Sequence, residues 1–210
     1  MEVPQPARQL SSAFGPEACR GGGAGVAIKT TKVTGRRRLW FASLDAILAD
    51  AEYLAGVPTK QLGNWSLGQI LVHLATVFDK SIDGTEYKPS WLARRAGRLF
   101  VPLWKRWVLR WGMPAGIRPP AGMFKEVAPP ERVSTADGLA ALRRAVGRLK
   151  AEGERDWAQC FGVFTRDEWD RFHMRHAELH LSYAVPFGDP KLPPAGKAEP
   201  GAAADRGGTS

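Results

Sequence analysis

An all-α fold built on four principal helices is what this sequence predicts, on three observations. Apolar residues recur at spacings of three and four in four separate stretches. Each stretch is opened by a Ser or Thr able to cap a helix, and no stretch alternates convincingly in the manner of a half-buried strand. The four stretches lie within residues 36–186, the span of one domain. On either side, residues 1–35 and 187–210 mix Pro, Gly, Ser and Ala without apolar periodicity and read as a disordered lead and tail.

Ser43 caps the first helix, which carries Leu44, Ile47, Leu48, Ala51, Leu54 and Ala55 on one face and stops at Gly56 and Pro58. Ser66 with Gln69 forms a capping box and opens the second, bearing Leu67, Ile70, Leu71, Leu74, Val77 and Phe78 and ending near Gly84. A long, partly helical crossover follows: residues 90–111 hold four tryptophans among basic residues, with Pro102 expected to kink or divide the helix, and residues 112–134 read as irregular. Thr135 starts the third principal helix, with Leu139, Leu142, Val146 and Leu149, ending at Gly153. Thr165 with Glu168 is a second capping box, opening a last helix through Trp169, Phe172, His176, Leu179 and Tyr183 that must stop by Pro186.

Composition narrows the class. With 44% hydrophobic and 24% charged residues in a chain of 210, wholesale disorder and fibrous architectures are excluded. Cys19 and Cys160 form no C-x-x-C pair and cannot make a disulfide framework, which fits a reducing, cytoplasmic setting. No apolar run approaches the roughly 18 residues of a spanning helix. Arg36, Arg37 and Arg38 before Leu39, Trp40 and Phe41 faintly resemble a twin-arginine export signal, but Asp45 and Asp50 interrupt the apolar region it needs.

Only four histidines are present, and three, His173, His176 and His180, lie on the last helix; the fourth, His73, is on the second. At about 100° per residue, His176 and His180 fall near −60° and −20° from His173, so all three share a face. His176 and His180 have the H-x-x-x-H spacing that brings two imidazoles to one ion from successive turns. His173 and His180 stand roughly 10 Å apart along the axis, too far to share that ion, so His173 is a neighbour or an alternative ligand. Two histidines four apart often occur without metal. His73, from a different helix, supplies the third ligand of a catalytic-type site that keeps a position open for water or substrate.

The stretch from Gly63 through Trp65, Ser66 and Gln69 to His73 and Ala75 resembles the second helix of the DinB-like superfamily, with its tryptophan-serine start and metal-binding histidine. The segment Glu168 to His180 resembles that superfamily's fourth helix, and the whole pattern is most similar to a branch of unknown function. The resemblance covers about residues 36–186. It implies a four-helix bundle of up-up-down-down topology and a divalent ion, nickel, zinc or iron, held by His73, His176 and His180, with His173 outside the triad. It also implies a metal-dependent enzyme acting on a small-molecule substrate, a transferase using a low-molecular-weight thiol or a hydrolase. A homodimer is compatible with it, since such bundles are often dimers. No general base emerges: Thr76, Lys80 and Asp83 lie within about 80° of His73, and Glu178 points about 160° from His180 and reads as solvated. Cys160 reads as a small buried hydrophobe.

The net charge of +9 is concentrated in the crossover, where nine Lys and Arg between Lys88 and Lys125 have no Asp or Glu among them. Trp91, Trp104, Trp107 and Trp111 interleave with these cations. The segment can cap the domain with solvated charge, lie on an anionic membrane surface, stack on single-stranded nucleic acid, or form a lid over an anionic substrate. No recognised nucleic-acid motif is present, which argues against that partner. The contrasting function is a non-catalytic helical module that docks on a membrane or an acidic partner through this segment, its histidines serving only packing.

Overall fold

Five helices begin where a hydroxyl accepts from the amide three residues on, satisfying a donor that the helix itself leaves unpaired. In the computed structural model, which describes residues 28–117, 119–152 and 164–188, these are α1 (Leu44–Gly56, capped by Ser43), α2 (Leu67–Asp83, Ser66), α3 (Trp91–Trp111, Ser90), α5 (Thr135–Ala151, Ser134) and α6 (Arg166–Leu181, Thr165). Both expected capping boxes are complete: Ser66 with Gln69 (3.2 and 2.9 Å) and Thr165 with Glu168 (3.2 and 3.0 Å). Such a cap contributes about 1 kcal/mol. Gly84 and Gly112 close α2 and α3 with φ of 81° and 91°, the left-handed region that favours glycine.

The molecule is mainly helical. Helices α1, α2, α5 and α6 surround one apolar core, filled by Ile47 and Leu54 from α1, Leu71, Leu74 and Phe78 from α2, Leu142 and Leu149 from α5, and Ala177 and Leu181 from α6. A second, smaller cluster joins Val77 and Val108 to Met123, Val127, Trp169 and Phe172. It fixes α3 and the short helix α4 (Ala121–Val127) on the flank of α2 and α6. Helix α2 meets α5 backbone to backbone, where Gly68 and Gly138 face each other. A Cβ at Gly138 would lie 2.7 Å from the Gly68 carbonyl oxygen, and a Cβ at Gly68 would press into the Val133 carbonyl. Only the absence of side chains lets these backbones meet.

Several expectations are corrected. Helix α3 is not divided at Pro102; packing of its inner side before and after the proline, with Val101 on a cavity wall and Val108 fully buried, offsets the one amide donor that Pro lacks. The stretch read as irregular contains α4. Two three-residue strands, β1 (Thr59–Gln61) and β2 (Ala184–Pro186), pair antiparallel with Thr59 opposite Pro186 and Gln61 opposite Ala184. They tie the approach to α2 to the exit of α6. Segments so short show no alternation to read.

Of the expected lead, residues 1–27 lie outside the described residues, but 28–35 pack on the body. Asn64 holds both the amide and the carbonyl of Ile28 (2.7 and 3.0 Å), the Tyr183 hydroxyl donates to the Thr30 carbonyl (3.2 Å), and Thr30–Lys32 form a 3₁₀ turn. Of the expected tail, Phe187 and Gly188 are described, the Phe187 amide donating to the Pro58 carbonyl at 3.0 Å. Gly153 and Cys160 lie outside the described residues. Arg36 donates to Ser182 Oγ, and Arg37 pairs with Asp50 at 2.6 Å, so two of the three consecutive arginines anchor the chain before α1.

Glu178, expected in solvent, is buried. It pairs with Arg175 at 2.8 Å and accepts from the Phe41 amide; Arg175 donates to the Phe41 carbonyl at 2.7 Å and lies over the Trp40 ring. The face of α6 opposite the histidines therefore binds the chain entering α1. Burial pushes the Glu178 carboxyl above its ordinary range, against the pull of the Phe41 amide and Arg175.

Candidate metal centre

His73 lies two turns into α2, and His176 and His180 occupy successive turns of α6. The gap between these helices brings together the three rings that the spacing singled out. His73 Nε2 is 3.4 Å from His176 Nε2, which is 3.0 Å from His180 Nε2. One ligand nitrogen from each ring falls within 4.8 Å of the other two, an arrangement that can hold a metal ion. Two nitrogens bound at about 2.0–2.1 Å and a tetrahedral angle are roughly 3.3 Å apart, close to the 3.4 Å of the His73–His176 pair and the 3.0 Å of the His176–His180 pair.

The surroundings set each ring's orientation. Nδ1 of His73 donates to the Val127 carbonyl at 2.7 Å, which fixes the tautomer and leaves Nε2 a lone pair aimed at the other rings. Val127 is in turn placed by α4, whose Glu126 accepts from the Glu86 and Tyr87 amides and pairs with Lys80 at 3.2 Å. Trp65, just before the α2 cap, stacks on His180 with ring centroids 5.4 Å apart and lies 4.8 Å from His73. Phe172 stacks on His176 at 6.0 Å. Nδ1 of His176 is buried with no hydrogen-bond partner among the described residues, so only Nε2 of that ring faces polar neighbours.

Burial holds His73 below the ordinary histidine range. It holds His176 and His180 well below, and the neighbouring cationic forms, His180 and His73 for His176, His73 and Arg36 for His180, push them further down. All three are neutral at pH 7, the state a metal ligand requires. The unfolded chain takes up these protons near pH 6.5. Just below that value the unfolded state binds more protons than the folded one, so stability falls as pH falls, until the folded rings protonate too. In the presence of chelator, each ring is expected to contribute a loss of up to about 1.4 kcal/mol per pH unit. Urea denaturation at about pH 7.5 and about pH 5.5 reads this slope; equal midpoints would contradict it.

His173 is not in the group. Its Nε2 donates to Ser81 Oγ at 3.0 Å, Ser81 donating onward to the Phe78 carbonyl, and its ring is fully buried between Phe78 and Trp169. Thr76, Lys80 and Asp83 do not line the site: Lys80 pairs with Glu126, and Asp83 pairs with Arg148 at 2.7 Å.

The histidines sit in the wall of a cavity of about 1450 Å³, lined mainly by apolar groups. Trp65 and Phe172 lie against the rings, and Val77 together with Ala93, Gly97 and Val101 of α3 also lines the cavity. Its polar groups include Asn64, Tyr87, Arg94 and Tyr183, none of which sequence reasoning placed in the site. A three-histidine group beside open volume leaves room for a further ligand. Over residues 33–187 the chain matches the family model described as "Protein of unknown function (DUF1569)". No curated protein and no solved structure matches it.

Proposed function

The chain belongs to the DUF1569 family of unknown function, and from the geometry of its histidine group we propose that it is a divalent-metal-dependent enzyme acting on a small molecule in the adjoining cavity. The observation that carries this reading is the convergence of His73, His176 and His180 through Nε2 on one point of the cavity wall. We propose with it membership of the DinB-like superfamily and that superfamily's four-helix topology for α1, α2, α5 and α6. This is supported by the Trp65-Ser66 start of α2 and by the common core of the four helices.

A nickel, zinc or iron ion in this centre supplies a lowered pKa to a bound thiol or water, and so a nucleophile near neutral pH, for thiol-dependent transfer or hydrolysis. The chain's own residues do the rest. The Val127 carbonyl holds His73 in its ligand tautomer, Trp65 and Phe172 exclude water from the rings, and Arg94 places positive charge on the wall facing an anionic thiol or substrate.

Elemental analysis of tag-free protein tests the reading. About one equivalent of metal is expected, lost in His73→Ala and His180→Ala. Turnover of an electrophile in the presence of a small thiol should disappear with it. Folded protein that retains no metal after reconstitution overturns the proposal.

A further inference from the structure

Helix α3 is apolar on two opposite sides, and the described residues cover only one of them. Its inner side is fixed: Val108 is fully buried, Trp104 packs on Phe172 at 6.2 Å, and Lys105 pairs with Glu168 at 2.8 Å. On the outer side Leu92, Leu99, Phe100, Leu103 and Trp107 are exposed, Leu99 and Leu103 by 74% and 75%. At about 100° per residue these five fall within an arc of roughly 100°. Arg95 and Arg106 border the arc on one side and Arg110 continues it at the C-terminal end; all three are exposed, with no ion pair among the described residues. A helix that is apolar outside as well as inside needs a partner on its outer face.

We propose that this outer face is a docking site for an anionic phospholipid surface. An interfacial helix of this kind places Leu, Phe and Trp side chains at the acyl boundary, while Arg stems run along the apolar surface and their guanidinium groups meet lipid phosphates. The charge is complementary throughout, since no Asp or Glu occurs between Lys88 and Lys125. That absence also disfavours a second copy of this chain on the same face, because pairing two such faces would oppose arginines with no carboxylate from either helix between them. A polynucleotide is disfavoured because no recognised nucleic-acid motif is present and the exposed leucines beside the rings offer bases no stacking surface. No helix among the described residues is long and apolar enough to cross a membrane, so α3 lies on the surface and does not span it.

Co-sedimentation of the full chain with phosphatidylcholine vesicles, with and without phosphatidylglycerol, tests this. Binding only to the phosphatidylglycerol vesicles is expected, with a blue shift of tryptophan emission, and it should weaken sharply between about 0.1 M and about 1 M salt. Arg95→Ala/Arg106→Ala/Arg110→Ala should reduce the partition coefficient on the order of a hundredfold. Leu99→Asp/Leu103→Asp should abolish the emission shift, with helical circular dichroism unchanged because both positions are exposed. No anionic-lipid dependence, or binding unchanged in both variants, overturns the proposal. So does a stable dimer in light scattering that Leu99→Asp/Leu103→Asp dissociates, since the face would then belong to a second copy.

Discussion

Replacing His176 with alanine is expected to strip the protein of metal, because His176 is the ring in hydrogen-bond range of both others, 3.4 Å from His73 and 3.0 Å from His180. Losing it removes a ligand and opens the gap between the remaining two. The loss of affinity should exceed the roughly 10–100-fold that removing an outer-shell partner brings. His173→Ala is the control on the same helix. It breaks the contact to Ser81 in the core and should lower stability by about 1–3 kcal/mol, with metal content unchanged. Titration with a competing chelator, beside urea denaturation, separates the two. Equal metal loss in both variants would mean that the core and not the centre had been damaged.

Glu178→Ala is expected to be strongly destabilising although it lies outside the centre. It leaves the Arg175 guanidinium buried against Trp40 without its carboxylate, and the Phe41 amide without an acceptor. Breaking a buried pair from one side costs about 3–5 kcal/mol. For a domain of this size that is a fall in Tm on the order of 10 °C, readable in a thermal scan. Arg175→Met/Glu178→Leu should recover only part of the loss, because the Phe41 amide and carbonyl would still lack partners. A single variant as stable as the parent would show that the pair is not holding the entry to α1 onto α6.

The helices and the histidine register were legible in the sequence because both depend on local spacing. Ser66 with Gln69 and Thr165 with Glu168 announce helix starts within four residues, and the interval from His176 to His180 is one turn of helix. What brings His73 to them was not legible, since it depends on contacts far apart in sequence: β1 with β2, and the Val127 carbonyl, a backbone atom that no residue type signals. Helix α4 is not legible because seven residues between prolines show less than two full periods. The burial of Glu178 is not legible because its angle from His180 locates it opposite the metal face, and that side is covered by Trp40 and Phe41. Amphipathic periodicity tells which residues share a face, not what lies against it.

The meeting of Gly68 and Gly138 has a mechanical meaning for the centre. Gly68 is five residues before His73, about 140° round the helix, so the side of α2 that rests on α5 is nearly opposite the side that presents the imidazole. Backbone against backbone is a stop with almost no give, whereas side chains can repack around a displaced neighbour. A methyl group at either glycine would act as a shim, levering α2 away from α5 and carrying His73 Nε2 out of register with α6, with no ligand touched. The alignment tolerance of a three-ring centre is thus set across the body of the helix, at two positions that carry no side chain.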